Sequence, residues 1–300
     1  MVTRQVAAVL SAGEMGAALA ARLTVAGWRV VTCVEGRSAA TRARAAAAGI
    51  EPLDSLQAVA AAAGVVVSLV PPGAAGAAAA AFAAAAASAA ARPLYLDANS
   101  VSPAVAAAVA GTVRDAGCEA VDGAFVGGAT GLGPDPDAPA PTVLYLSGPS
   151  AAALGELLGD ALPVRVVGIE VGRASAFKLA FAGFNKGLVA LLLEAATAGE
   201  LAGSRSELLE RLRAFYPATV ATVERLLPSY PRHAARRAVE MGEEADWLTA
   251  AGQEAPMAAA TRVVLERLAA LGLTAGATAG DVLEECCRRG LLAAGDADDE

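Results

Sequence analysis

Gln5-Val6-Ala7-Ala8-Val9-Leu10-Ser11-Ala12-Gly13-Glu14-Met15-Gly16 is a short β-rich run that ends in small residues and opens onto the helical stretch Ala17–Ala26. The order strand, tight turn, helix with glycines at 13 and 16 is the phosphate-cradling fingerprint G-x-G-x-x-G, with Ser11 in the first glycine's place. Glycines at such a turn let backbone N–H groups approach a pyrophosphate at the helix N-terminus. Ser11, Ala12, Gly13, Glu14, Met15 and Gly16 are therefore candidate dinucleotide contacts. The fingerprint follows a first strand and precedes a second one, Trp28–Glu35, at the distance the motif requires.

Outward from this stretch the alternation continues. Further β-rich runs occupy Val65–Val70, Leu94–Ala98, Ala120–Asp122, Thr142–Ser147 and Val164–Val167, with alanine-rich stretches such as Ala39–Ala48 and Ala74–Ala91 between them. Strands separated by helices of this length predict βαβ units, a parallel sheet and a doubly wound α/β Rossmann domain over residues 1–168. From Val171 the β signals stop. Amphipathic stretches at Ala174–Leu201, Arg205–Leu227, Pro231–Ala251, Ala255–Leu271 and Ala279–Arg289 predict an all-α domain over 169–300, with the nicotinamide in the cleft between the two. Gly131–Pro141 reads as a long surface loop, and the tail Gly295–Glu300 as disordered.

Composition excludes several classes. The 300 residues are 56% hydrophobic and 18% charged, with a net charge of −8. That balance is globular, and it lacks the basic stripe that nucleic acids or anionic membranes select. The longest apolar stretch, Val65–Ala91, is broken by Pro71-Pro72-Gly73, so no membrane span is expected there. Four cysteines without CxxC spacing and a single histidine predict reduced thiols, no metal and a cytoplasmic protein.

The end of the second strand bears on cofactor choice. Glu35 lies about twenty residues past the glycines, where an acid would bind the ribose of NAD(H). Strand alternation turns it to the face opposite Val34. Arg37, Ser38 and Arg42 supply guanidinium and hydroxyl groups suited to a 2′-phosphate, which favours NADP(H) over NAD(H).

Of the 23 lysine and arginine residues only two are lysines, Lys178 and Lys186, both on one predicted helix. In so arginine-biased a chain a retained lysine suggests proton chemistry, because a desolvated ammonium can release its proton and a guanidinium cannot. Lys178 is the candidate general acid/base. Lys186 falls on a more exposed face and is left out of catalysis. Asn185, seven residues beyond Lys178, serves a substrate carboxylate, the nicotinamide amide or a packing contact between helices, and His233 either anchors substrate or is a solvated or packing histidine. Glu240, Met241 and Glu244 fall in the segment Arg236–Ala245, where the two carboxylates could simply form salt bridges with the neighbouring arginines.

The sequence resembles the β-hydroxyacid dehydrogenases, the family of 3-hydroxyisobutyrate and 6-phosphogluconate dehydrogenases, over nearly its whole length. Ser11–Gly16, Asp97-Ala98-Asn99-Ser100-Val101-Ser102-Pro103, Asp122-Gly123-Ala124-Phe125-Val126-Gly127-Gly128 and Gly172–Lys178 match the family's glycine motif, its D-x-S-T-x-x-P motif, its substrate loop and its catalytic-helix motif. The segments around Arg37, Lys178 and Arg236–Ala245 resemble the branch with a helical C-terminal domain of unknown function. The resemblance implies hydride transfer between nicotinamide and a small hydroxy or carbonyl substrate, with Lys178 catalytic. It implies substrate contacts at Asn99, Ser100, Gly127 and Gly128, with Asn185 and His233 as candidates. Cofactor contacts extend to Val70, Pro71, Pro72 and Asn99, and the C-terminal helices imply a homodimer. Val126 and Ala182 depart from the serine and asparagine of the family pattern. Two rival readings are an imine reductase and a non-catalytic NADP-binding protein.

Overall fold

The computed structural model describes residues 5–36, 38–89, 91–133, 141–274 and 278–293. Arg37, most of the 131–141 segment and the 295–300 tail lie outside them. The chain alternates strand and helix as β1 (Val6–Val9), α1 (Glu14–Val25), β2 (Arg29–Cys33), α2 (Ala39–Ala47), β3 (Glu51–Leu53), α3 (Leu56–Ala62), β4 (Val65–Ser68), α4 (Ala75–Ala87), β5 (Leu94–Asp97), α5 (Pro103–Asp115) and β6 (Ala120–Val126). It continues through β7 (Val143–Ser147), α6 (Ala151–Leu158) and β8 (Val164–Gly168). Then come only helices: α7 (Arg173–Leu201), α8 (Arg205–Phe215), α9 (Pro217–Leu226), α10 (Tyr230–Ala250), α11 (Pro256–Ala270) and α12 (Ala279–Arg288).

Four of the helices start at a side-chain cap. Ser38, Ser55 and Ser102 accept a hydrogen bond from the backbone N–H three residues on, and Pro103 occupies the first turn of α5, where its missing N–H is not needed. Thr278 and Asp281 form a reciprocal capping box at α12.

The sheet order is β3-β2-β1-β4-β5-β6-β7-β8, the doubly wound pattern with two added strands. Its pairs are parallel, as the βαβ reading expects, except β6–β7, which is antiparallel. The link from β6 to β7 carries no crossover α-helix among the described residues. Without that helix the chain returns alongside itself.

Period-2 alternation sorts the strand residues between two cores. Ala7, Val9, Val65 and Val67 face Leu19, Leu23, Leu154 and Leu158. Ala8, Val66 and Tyr95 face Val59, Phe82, Val109 and a set of fully buried alanines, Ala75, Ala79 and Ala86. β3 escaped the sequence reading because it is a three-residue edge strand containing Pro52, with two of its three residues exposed. The stretch Arg205–Leu227 is two helices rather than one, broken at Tyr216-Pro217.

The chain divides into two compact units, the first ending at Lys178 and the second starting at Leu179, within α7. The second unit has its own core, in which Val189, Leu193, Leu227, Met241, Leu265 and Leu283 are buried. α7 is long and apolar enough to cross a membrane by length and composition alone. Much of its apolar surface, including Val189, Leu192, Leu193 and Ala196, is instead spent on the helical core.

Candidate active site

Parallel strands bring their C-terminal ends to one edge, and the glycine turn sits there after β1. Gly16 is required sterically: a Cβ would lie 2.0 Å from the Ser11 carbonyl oxygen and 3.2 Å from Val9 Cγ1. Gly13 is different. The nearest protein atom to its Cβ would be Ser11 Oγ at 4.0 Å, so nothing in the fold excludes a side chain. Its smallness leaves room for something else to come close to the backbone. α1 begins at Glu14 without a side-chain cap, which leaves its first N–H groups available to an anion. No described non-glycine residue has positive φ, so Ser11 makes the turn in an ordinary backbone conformation and a glycine is not needed there. Met15 is half-buried against the core, Ala12 is buried and Glu14 is exposed. This room and these N–H groups fit a dinucleotide pyrophosphate.

Beyond β2 the chain turns at Glu35-Gly36, with Gly36 at φ 69°. Glu35 is exposed in that turn and not in the strand, so strand alternation does not set its direction. Ser38 spends its hydroxyl on capping α2 through Thr41 N–H, 3.2 Å away, and Arg42 is exposed. Arg44, which the sequence reading passed over, donates from Nε to the Ala12 carbonyl at 2.9 Å and so ties α2 to the glycine turn. No local spacing signals this contact, since the partners are 32 residues apart.

After β4 and β5 the chain is stitched together by Asn99, which is 3% exposed. Its Oδ1 accepts from Val70 N–H at 2.7 Å, and its Nδ2 donates to Ser68 Oγ at 3.0 Å and to Asp97 Oδ1. The Asn99 side chain therefore holds two strand ends in register, while Pro71 and Pro72 stay exposed at the rim. Asp97 is buried, and burial, with the Asp122 charge beside it, lifts its carboxyl to about 6 against the pull of the Asn99 hydrogen bonds.

The residue after Asn99 reaches the lysine. Lys178 Nζ donates to Ser100 Oγ at 2.6 Å, with both side chains half-buried. Lys178 stands on the second turn of α7, and Phe177 beside it stacks on Tyr145 of β7, ring centroids 4.2 Å apart.

At the end of β6, Gly127 has φ 128°, and a Cβ there would lie 2.2 Å from Thr142 Oγ1. Thr142 is fully buried and donates to the Gly128 carbonyl at 2.6 Å, bracing the two glycines from below. Gly123, Ala124 and Phe125, read as loop, are buried strand residues, because β6 runs on to Val126.

The remaining candidates belong to the second unit. Asn185 is half-buried and makes no side-chain hydrogen bond among the described residues. Lys186 is 4% exposed and pairs with Glu240 at 2.9 Å, which corrects its expected exposure. Eight residues along a helix is a rotation of about 80°, and that face of α7 meets α10. Glu240 also faces Arg236 at 3.7 Å. Glu244 lies over Gly183, whose Cβ would be 1.9 Å from its Oε2, and burial raises its carboxyl. Met241 is buried in the core. His233 is lowered by burial and by Arg236, Arg237 and Arg232, so it is neutral at pH 7 and a weak anchor for an anion.

Residues 7–134 match the NAD binding domain of 6-phosphogluconate dehydrogenase, and residues 200–268 match a domain of unknown function, DUF1932. No curated protein matches the chain. Among solved structures, a conserved hypothetical protein from Sinorhizobium meliloti 1021 is 27% identical, with a TM-score of 0.70 over 96% of this chain and 97% of that one. Conserved protein MTH1747, of unknown function and described as structurally similar to 3-hydroxyacid dehydrogenases, is 29% identical, with a TM-score of 0.69 over 90% and 100%. A Mycobacterium tuberculosis 3-hydroxyisobutyrate dehydrogenase with L-serine is 21% identical, with a TM-score of 0.72 over 94% and 99%. Imine reductases, such as that of Streptomyces aurantiacus at 18%, share the fold.

Fold, glycine turn and domain matches together define a nicotinamide-binding oxidoreductase architecture. The chain joins an NAD binding domain of the 6-phosphogluconate dehydrogenase type to a DUF1932 domain, a pairing that fits the β-hydroxyacid dehydrogenase superfamily of NAD(P)-dependent oxidoreductases.

Proposed function

We propose that the protein is an NADP(H)-dependent oxidoreductase that interconverts a small hydroxy compound, an acid by preference, and its carbonyl partner. The observation that carries this is the Lys178 Nζ–Ser100 Oγ bond of 2.6 Å, at the carboxyl edge of the sheet that also bears the glycine turn. The bound nicotinamide would supply or accept the hydride. Lys178 takes the hydroxyl proton in the oxidative direction and returns it to the developing alkoxide in the reductive one. Ser100 holds Nζ at a defined point, and the braced backbone at Gly127 and Gly128 offers polar groups for a substrate. Two features of α2 support NADP(H): its first turn holds no acid, and Arg42 is exposed on it. Arg37, the other guanidinium of this reading, lies outside the described residues. A homodimer joined through the second unit also fits, since an apolar groove of about 390 Å³ there is lined by Leu188, Leu191, Leu212, Tyr216 and Val220.

The test is Lys178→Arg, assayed across pH with NADPH and a panel of hydroxy acids, ketones and cyclic imines. Arginine keeps the charge and cannot pass the proton, so turnover falls by about 10²-fold or more while NADPH binding is retained. A variant within a few-fold of wild type would make Lys178 a mere positive charge. Turnover of imines alone would move the reading to C=N reduction.

A further inference from the structure

One buried carboxylate takes no part in the chemistry described so far. Asp122 on β6 is 2% exposed. Its Oδ2 accepts from the backbone N–H groups of Gly172, Ala174 and Ser175, each at 3.0 Å, and from Ser147 Oγ at 2.9 Å. Its Oδ1 accepts from Ser175 Oγ at 2.6 Å. Ser147, directly opposite Asp122 on β7, closes the network by also accepting from Ala174 N–H at 3.0 Å. Gly172 permits the entry into the helix: its φ is 98°, and a Cβ would press on the Pro103 carbonyl at 3.1 Å.

The donors Gly172, Ala174 and Ser175 belong to the start of α7. A helix beginning normally leaves such N–H groups to water or to a cap close in sequence. Here a side chain some fifty residues away in the chain, fixed in the middle of the sheet, collects three of them. Its negative charge also sits at the positive end of a 29-residue helix. Lys178 stands four residues past Ala174 and three past Ser175, about one turn or 6 Å along the axis.

We infer that Asp122 is a positioning residue for Lys178: it fixes the start and rotation of α7 on the sheet, and so sets where the amine meets Ser100. This rests on Lys178 having the proton-transfer role proposed above, but its test does not need turnover.

Because the chain has only two lysines, protein carrying ¹³Cε-lysine gives two side-chain signals, assigned by Lys178→Arg. Asp122→Asn removes charge and acceptor together. Asp122→Glu keeps the charge and displaces it by a methylene. Ser175→Ala deletes only the Oδ1 contact. Positioning predicts that Asn and Glu both move the Lys178 signal and its titration midpoint, with a smaller change in Ser175→Ala, while the Lys186 signal stays put. An unmoved Lys178 signal in folded variants overturns the inference, as does a glutamate that restores the wild-type signal, since charge alone would then suffice. If neither Asp122 variant folds, Ser175→Ala decides by the same criterion. Failure of Lys178→Arg to slow turnover would sink the catalytic reading while leaving these spectra interpretable.

Discussion

Asp97→Asn should stabilise the protein at neutral pH and not in acid. Asp97 ends β5 at 4% exposure. Oδ1 accepts from Asn99 N–H at 3.3 Å and from Asn99 Nδ2, whereas Oδ2 has no partner among the described residues. Asp122 lies directly across the strand pair. Burial, then, with Asp122 adding to it, raises the carboxyl from 3.8 to about 6. Each pH unit of that rise is worth about 1.4 kcal/mol, so ionising Asp97 costs the folded state about 3 kcal/mol relative to the unfolded chain. The sign follows from proton counts. Between pH 4 and 6 the folded state holds the proton that the unfolded chain has lost, so the contribution is fully present below 3.8 and is lost as pH rises through 6. Asparagine has the same shape, keeps an oxygen for Asn99 and does not ionise. The stability gap between variant and wild type should therefore widen by about 2 kcal/mol from pH 4.5 to 8. Urea unfolding followed by Trp28, which is buried in the first unit, measures it once Trp247 is replaced by phenylalanine. A gap equal at both pH values would show that Asp97 is ionised without penalty, and would refute the argument from burial.

Gly16→Ala drives a methyl into the Ser11 carbonyl; it should cost about 1–3 kcal/mol by thermal unfolding and weaken NADPH binding at least tenfold by fluorescence titration. Glu240→Ala leaves Lys186 buried and charged and should cost about 3 kcal/mol in urea, most of it recovered when Lys186→Met is added. In wild type NADPH should bind at least tenfold more tightly than NADH, about 1.4 kcal/mol, with the difference reduced by Arg37→Ala. Equal affinities by calorimetry would return the ribose to Glu35.

Most of the architecture was legible because it is written locally. Valine runs, serine caps and the glycines at 13 and 16 each act within a few residues, and they place seven of the eight strands and the start of α1. What escaped is set by distance. Asp122 reads as one letter of a motif, and its meaning as an anchor comes from donors that strand order brings to it. Arg44 looks like surface charge until the fold brings α2 within reach of the glycine turn. Lys186 was misread because periodicity fixes the angle between two residues on a helix but not which neighbour covers that angle. Asn99 is read from its motif as a contact of substrate and cofactor, and what the motif does not show is that its amide also has three partners inside the fold.

The alanines buried in the sheet and in the helices on its two faces change which mistakes this fold tolerates. Ala7, Ala8, Ala20, Ala75, Ala79 and Ala86 are fully buried, so backbones approach closely and each side chain fills little volume. Trimming such a residue to glycine opens only a small cavity, and its cost, backbone entropy plus the lost burial of one methyl group, stays at about 1–2 kcal/mol. Enlarging it has nowhere to go, because rigid helix and strand press from both sides. Most proteins are damaged by holes in the core. These alanine positions are vulnerable to growth instead, and substitutions at Ala75, Ala79 and Ala86 of α4 should show valine and leucine as far more damaging than glycine.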